Sequence, residues 1–146
     1  MADLTGTHQY QLDAKGRMSL PARFREALGD GGFVTLGQDG CLYVFPLAEW
    51  NRMRGEVKTN LLADPETRHY ERMFASSAER IDLDSQGRFV VPVRLRGRSG
   101  IAREVVVIGV LDRMEIWDRA TWDRYEDAHA GAYQSGALLP AGRRQE

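Results

Sequence analysis

Cysteine is nearly missing from this 146-residue sequence: Cys41 is the only one. That excludes an intrachain disulfide and any zinc site built on a cysteine cluster, and it suits a reducing, cytoplasmic setting. Long apolar runs are missing too. No stretch approaches the ~18 consecutive apolar residues of a membrane span, and Met1-Ala2-Asp3-Leu4-Thr5-Gly6 has neither the basic start nor the apolar run of a secretory signal. Histidine is scarce. His8, His69 and His129 sit in unrelated contexts without a partner at ligand spacing, so no metal site is expected. There is no Gly-x-Ser-x-Gly and no phosphate-loop signature. With no reactive constellation visible, the expectation is a protein that is not an enzyme and carries no cofactor. Excess charge of one sign is lacking as well, the formal net charge being −1.

What is present is a stretch written twice. Leu12-Asp13-Ala14-Lys15-Gly16-Arg17-Met18-Ser19-Leu20-Pro21-Ala22-Arg23-Phe24-Arg25 returns as Leu83-Asp84-Ser85-Gln86-Gly87-Arg88-Phe89-Val90-Val91-Pro92-Val93-Arg94-Leu95-Arg96. Both read Leu-Asp-x-x-Gly-Arg-x-x-x-Pro-x-Arg-x-Arg, 71 positions apart. A repeat of this kind dictates architecture. Apolar residues alternate on both sides of each Gly: Tyr10 and Leu12 lead in and Met18 and Leu20 lead out, as do Ile81 and Leu83, then Phe89 and Val91. Period-two alternation around a short loop predicts a hairpin. Gly16 and Gly87 would supply positive φ, and Asp13 and Asp84 would cap the turn, which leaves no reason to read them as a catalytic acid pair. Pro21 and Pro92 suit the first position of a short helix. Arg23, Arg25, Arg94 and Arg96 read as the solvated face of those helices.

The near-neutral total hides local sorting. Asp13 to Arg25 carries a net +3, Arg80 to Arg98 another +3, and Glu115 to Ala130 a net −3. Such sorting predicts a basic face and an acidic face. The basic residues beside the turns are more than a capped turn requires.

Along the chain, a short helix is expected over Pro21–Leu28. The hairpin Phe33–Leu36 with Cys41–Phe45 follows, then a helix opened by Pro46 with a stripe of Leu47, Trp50 and Met53 or Val57. Asp64-Pro65 starts another helix, expected to carry Tyr70, Met73 and Phe74 inward as far as Ala75–Ser77. In the second half Gly97 to Gly100 reads as a loop, Val105–Val110 with Met114–Trp117 as a hairpin, and Thr121 to His129 as a helix. The aromatic residues Tyr43, Phe45, Trp50, Trp117 and Trp122 read as core. The fold class is therefore α+β and rich in β, with two ββαββα units, 7–53 and 78–125, a helical connection over 54–77, and a flexible tail over 131–146. One unit is too small to bury much core alone. Two copies about a pseudo-twofold axis would share one small barrel, with helices packed outside.

These residues resemble the MraZ family of bacterial transcriptional regulators, which carry two SpoVT/AbrB-like units in one chain. The resemblance runs from about Thr7 to about Tyr125. It rests most on the duplicated Asp13-to-Arg17 and Asp84-to-Arg88 motifs with their prolines, then on Cys41–Pro46 and its echo Glu115–Trp117. It implies an AbrB-like barrel made by both halves, a ring-shaped homo-oligomer, a place on the nucleoid, and double-stranded promoter DNA as partner. The implied target is the promoter of the division and cell-wall gene cluster that includes the regulator's own gene, read as short direct repeats. The DNA-binding motif falls on Asp13, Lys15, Arg17, Asp84 and Arg88; Gln86 replaces the lysine in the second copy. A different role would be an AbrB-like barrel acting on protein, as an interaction or antitoxin-type module.

Overall fold

The computed structural model describes residues 3–58 and 64–137. The chain runs twice through ββαββα. The first round is β1 (Thr7–Gln11), β2 (Arg17–Ser19), α1 (Ala22–Ala27), β3 (Gly32–Leu36), β4 (Leu42–Pro46) and α2 (Leu47–Lys58). Helix α3 (Pro65–Ser77) connects it to β5 (Glu79–Ile81), β6 (Arg88–Val90), α4 (Val93–Ser99), β7 (Glu104–Val110), β8 (Arg113–Asp118) and α5 (Arg119–Gln134).

Hairpins β3–β4 and β7–β8 form as their alternation predicts, but the remaining strands pair across the repeats. The main sheet has the antiparallel order β1-β7-β8-β4-β3-β5, and β2 pairs with β6 in a separate ribbon. Exchanging the repeats leaves this order unchanged, which is the signature of a pseudo-twofold axis. The axis passes the pair Tyr43–Glu115 in the sheet and the pair Met18–Phe89 in the ribbon, each made of equivalent positions. Strands β1 and β5 are the edges of the sheet and do not pair, so the β-rich body is not closed by a hydrogen-bonded ladder. One apolar cluster joins ribbon residues Met18 and Phe89 to sheet residues Val44, Leu42, Met114 and Ile116. The shared core expected from the duplication is therefore built from both halves.

The expected hairpin at each repeated motif is only half correct. The turn closes, with Asp13 N–H donating to Arg17 O at 2.9 Å, but the arms then part: β1 goes to β7 and β2 to β6. Alternation reports which face of a strand is buried; it does not name the partner. Pro21 and Pro92 occupy the N-cap rather than the first helical position. The segment read as a loop at Gly97–Gly100 is mostly helix: α4 continues to Ser99 and ends where Gly100 turns left-handed. Pro46 closes β4, and the helix starts at Leu47.

The outer layer forms a second, aromatic cluster. Cys41, Tyr43, Phe45, Phe74 and Trp117 are buried, with Trp50, Met53, Trp122 and Tyr125 packed against them. Helix α3 is held at its start by Asp64, which accepts from Thr67 N–H at 2.8 Å. At its other end the Thr35 hydroxyl donates to Phe74 O at 2.7 Å and lies 2.8 Å from Ser77 Oγ. Of the three residues expected inward on α3, only Phe74 is buried; Tyr70 and Met73 are exposed. The side chain of Val57 lies outside the described residues. Helix α5 continues past Gly131, where the tail was expected to begin, to Gln134; residues 138–146 lie outside the described residues. Among the described residues no helix is long and apolar enough to cross a membrane.

Candidate nucleic-acid interface

Each repeated turn is organised by its aspartate. Asp13 Oδ1 accepts from the backbone N–H of Lys15 and of Arg17, both at 2.9 Å. The other oxygen, Oδ2, accepts from Arg17 Nε at 2.7 Å. An aspartate bonding the backbone two residues on makes an Asx-type turn, and Gly16 at φ 76° completes it, its N–H donating to Asp13 O at 2.9 Å. The second copy repeats this. Asp84 Oδ1 accepts from Gln86 N–H at 2.8 Å and Arg88 N–H at 2.9 Å, and Oδ2 accepts from Arg88 Nε at 3.2 Å. Gly87 has φ 74°. The backbone N–H of Arg17 is the main cause holding the Asp13 carboxyl down, at about 2; the Arg88 N–H does the same for Asp84. Both carboxylates are therefore charged at neutral pH, and each fixes its own arginine.

That fixing leaves a specific group on offer. Nε of each arginine is committed to its aspartate, which leaves the terminal Nη1–Nη2 fork of Arg17; Arg88 Nη1 also lies 3.9 Å from Asp13 Oδ2. Arg17 and Arg88 side chains are 29 % and 26 % exposed, so both are half-buried.

The ribbon brings the two turns together. Arg17 pairs with Val90 and Ser19 with Arg88 in the β2–β6 ladder, and Val91 N–H donates to Gly16 O at 2.9 Å. Arg88 Nη1 lies 3.9 Å from Asp13 Oδ2, an ion pair between the repeats. Arg17 and Arg88 thus share one ribbon, with Asp13 and Asp84 in the turns that lead into it and Lys15 and Gln86 exposed in those turns. The turns are not equal: the Asp–Arg bond is shorter in the first, and Arg88 divides itself between two carboxylates.

Two further residues belong to this region, although their pattern reads as the wet face of a helix. Arg25 donates from Nη1 to Leu20 O at 2.9 Å, and its Cδ lies 2.5 Å from where a Cβ on Gly87 would stand. The Arg96 guanidinium lies 2.9 Å from where a Cβ on Gly16 would stand. Their signal in the sequence was available: both occupy the same place in the repeat. Among the described residues no cluster of three His, Cys, Asp or Glu side chains could hold a metal ion.

A duplicated ββαββα chain whose halves exchange strands and bring twin Asp-x-x-x-Arg turns to one ribbon is a tandem-repeat α+β protein with two equivalent motifs. The family described as "MraZ protein, putative antitoxin-like" matches residues 4–74 and again residues 73–134. Proteins named transcriptional regulator MraZ are similar over most of the chain. That of Kineococcus radiotolerans is 48 % identical over 122 residues, covering 84 % of this chain and 85 % of its own. That of Parafrankia sp. is 48 % identical over 137 residues, covering 92 % and 96 %. That of Heliobacterium modesticaldum is 39 % identical over 132 residues, covering 90 % and 92 %. The chain belongs to the MraZ family.

Proposed function

We propose that this chain is a cytoplasmic, nucleoid-associated transcription regulator that reads promoter DNA with the β2–β6 ribbon. The observation that carries the reading is the pair of arginines brought to one ribbon, each with its Nε tied to its own aspartate. This leaves the terminal Nη groups for a base, those of Arg17 more than those of Arg88, whose Nη1 also pairs with Asp13. A bidentate arginine on guanine O6 and N7 is the commonest base-specific contact in the major groove, and that groove admits a two-stranded ribbon. Asp13 and Asp84 aim the forks of Arg17 and Arg88. Lys15 contacts phosphate, which adds affinity without sequence information; Gln86 makes the second turn the weaker partner. A chain of net charge −1 with a small basic patch binds one site weakly, so the assembly is a homo-oligomeric ring engaging several direct repeats through effective concentration. The target is the promoter of the division and cell-wall cluster that holds its own gene.

The test is a mobility-shift titration on a duplex from immediately upstream of the protein's own coding sequence, against a shuffled duplex of equal length. Arg17→Ala should cost about 1–3 kcal/mol on the upstream duplex, roughly 5- to 150-fold, and little on the shuffled one. Equal weakening on both, with the preference intact, would reduce Arg17 to a phosphate contact.

The family's description as antitoxin-like favours a second reading, a barrel that acts on a protein partner. If that is the main role, Arg17→Ala and Arg88→Ala leave partner capture unchanged and the upstream duplex is not preferred.

A further inference from the structure

Gly16 and Gly87 each lie under an arginine of the other repeat. Arg96, on α4 of the second repeat, covers the first turn; Arg25, on α1 of the first repeat, covers the second turn. The four residues make two equivalent pairs, because Arg25 and Arg96 stand 71 positions apart, as do Gly16 and Gly87. The contact is reciprocal about the pseudo-twofold axis, and a side chain at either glycine would occupy the arginine's place. A Cβ on Gly16 would be 2.9 Å from the Arg96 guanidinium carbon; one on Gly87 would be 2.5 Å from Arg25 Cδ.

We propose that Arg25 and Arg96 are positioning residues which hold the turn of the opposite repeat, so that neither turn is set by its own repeat alone. The inference rests on the DNA-reading role of the turns only for its functional consequence; the cross-repeat hold is a statement about the protein. Arg25 is exposed over much of its length and Arg96 is half-buried, but each is tied to protein at the turn. Arg25 donates to the Leu20 carbonyl at 2.9 Å. Arg96 Nε is shut away from solvent without a hydrogen-bond partner, so it sits where packing on the turn puts it. At the first turn a cross-repeat hydrogen bond, Val91 N–H to Gly16 O, and a 3.9 Å ion pair, Arg88 Nη1 with Asp13 Oδ2, act in the same direction. The touching atoms differ between the two sites. At Gly87 the contact is the aliphatic stem of Arg25, which lysine also has. At Gly16 it is the planar guanidinium of Arg96, which lysine lacks.

The experiment uses full-length Arg25→Ala, Arg96→Ala, Arg25→Lys and Arg96→Lys. Residue-resolved amide exchange is the first readout, because Gly16 N–H is bonded to Asp13 O at 2.9 Å and Gly87 N–H to Asp84 O at 3.0 Å. Arg96→Ala should speed exchange at Gly16 and leave Gly87 alone; Arg25→Ala should do the reverse. Arg25→Lys should restore protection at Gly87, whereas Arg96→Lys should not restore it at Gly16. Loss at the turn of the variant's own repeat, or at neither turn, overturns the proposal. The second readout is the affinity ratio of the upstream duplex to the shuffled one across a salt series. Arg96→Ala should lower that ratio by about two- to thirtyfold with an unchanged salt slope. An intact ratio with a slope reduced by about one would make Arg96 a phosphate contact and overturn the positioning role. If the unaltered protein shows no preference for the upstream duplex, the DNA reading falls, and the exchange result alone decides the cross-repeat hold.

Discussion

Residues 1–77 expressed without the second repeat should not fold as a stable monomer. The reason lies in the strand order. Of the ladders that first-repeat strands make, only β3–β4 is internal to that repeat; β1, β2, β3 and β4 each also need a strand from the other half. Met18, Leu20, Val34, Leu42 and Val44 are at most 1 % exposed, and their shared cluster includes Phe89, Val91, Val107, Met114 and Ile116. Full burial of such a side chain is worth about 1.5–3 kcal/mol. If each gives up half its burial, the fragment loses about 4–7 kcal/mol. A chain of this length typically holds ~0.05–0.15 kcal/mol per residue, roughly 4–12 kcal/mol in all. The loss is therefore of the same size as the whole stability such a fragment could hold, before the missing ladders are counted. Far-UV circular dichroism through a thermal ramp, with sedimentation equilibrium, checks this. The expected fragment is either unfolded or a dimer in which a second copy replaces the missing repeat. A sedimenting monomer with a cooperative transition would refute the reasoning.

Phe89→Ala, at the ribbon's symmetry axis, should cost about 3–5 kcal/mol in urea denaturation, since Phe89 is buried against Met18 and the sheet core; a cost under ~1 kcal/mol would place the core elsewhere. For pH, Asp13 falls from its ordinary 3.8 to about 2, and Asp84 is also lowered. Such groups add stability above ~3.8 that is lost as pH falls toward their folded values. DNA affinity should thus be flat between ~pH 6 and 8 as far as the turns are concerned, and an Asp13 carboxyl NMR midpoint near or above 4 would contradict the turn geometry. Cys41 is 1 % exposed, and burial followed by the nearby Glu115 pushes its thiol up; it should react with a thiol reagent only on unfolding, and rapid labelling of the native protein would show that the aromatic layer opens. On DNA, separating two correctly phased boxes by a further ~5 bp should abolish the gain from the second box by turning it to the far face; equal affinity for one box and several would remove the ring from the mechanism.

Much of this was legible in the residues because the repeat is local and chemical. Asp, Gly and Arg at fixed spacing name a capped turn, and both turns form with the expected bonds. The β3–β4 and β7–β8 hairpins were legible because their loops are short. Partnership across the repeats was not, since Tyr10 and Met18 alternate correctly whether their strands pair with each other or with strands far along the chain. The outward placement of Tyr70 and Met73 was hidden because α3 buries a narrow stripe at Phe74 and Ser77 rather than a broad face. Arg25 and Arg96 were missed because a charged residue on a short helix reads as solvated until its neighbour, a glycine in another repeat, is known.

The pairing of β1 with β7 joins Thr7 to Ile108, and this has a consequence for synthesis on the ribosome. At ~5–20 residues per second, the first repeat emerges roughly 4–14 seconds before the second is complete. For that interval β1 and β2 lack their partners, and β3 and β4 each expose an unpaired edge. On a message carrying several ribosomes, neighbouring nascent chains present the same complementary edges to one another. A chain arranged this way gains from prompt completion of its own second half, and slow codons between the repeats should raise the yield of intermolecular, strand-swapped products.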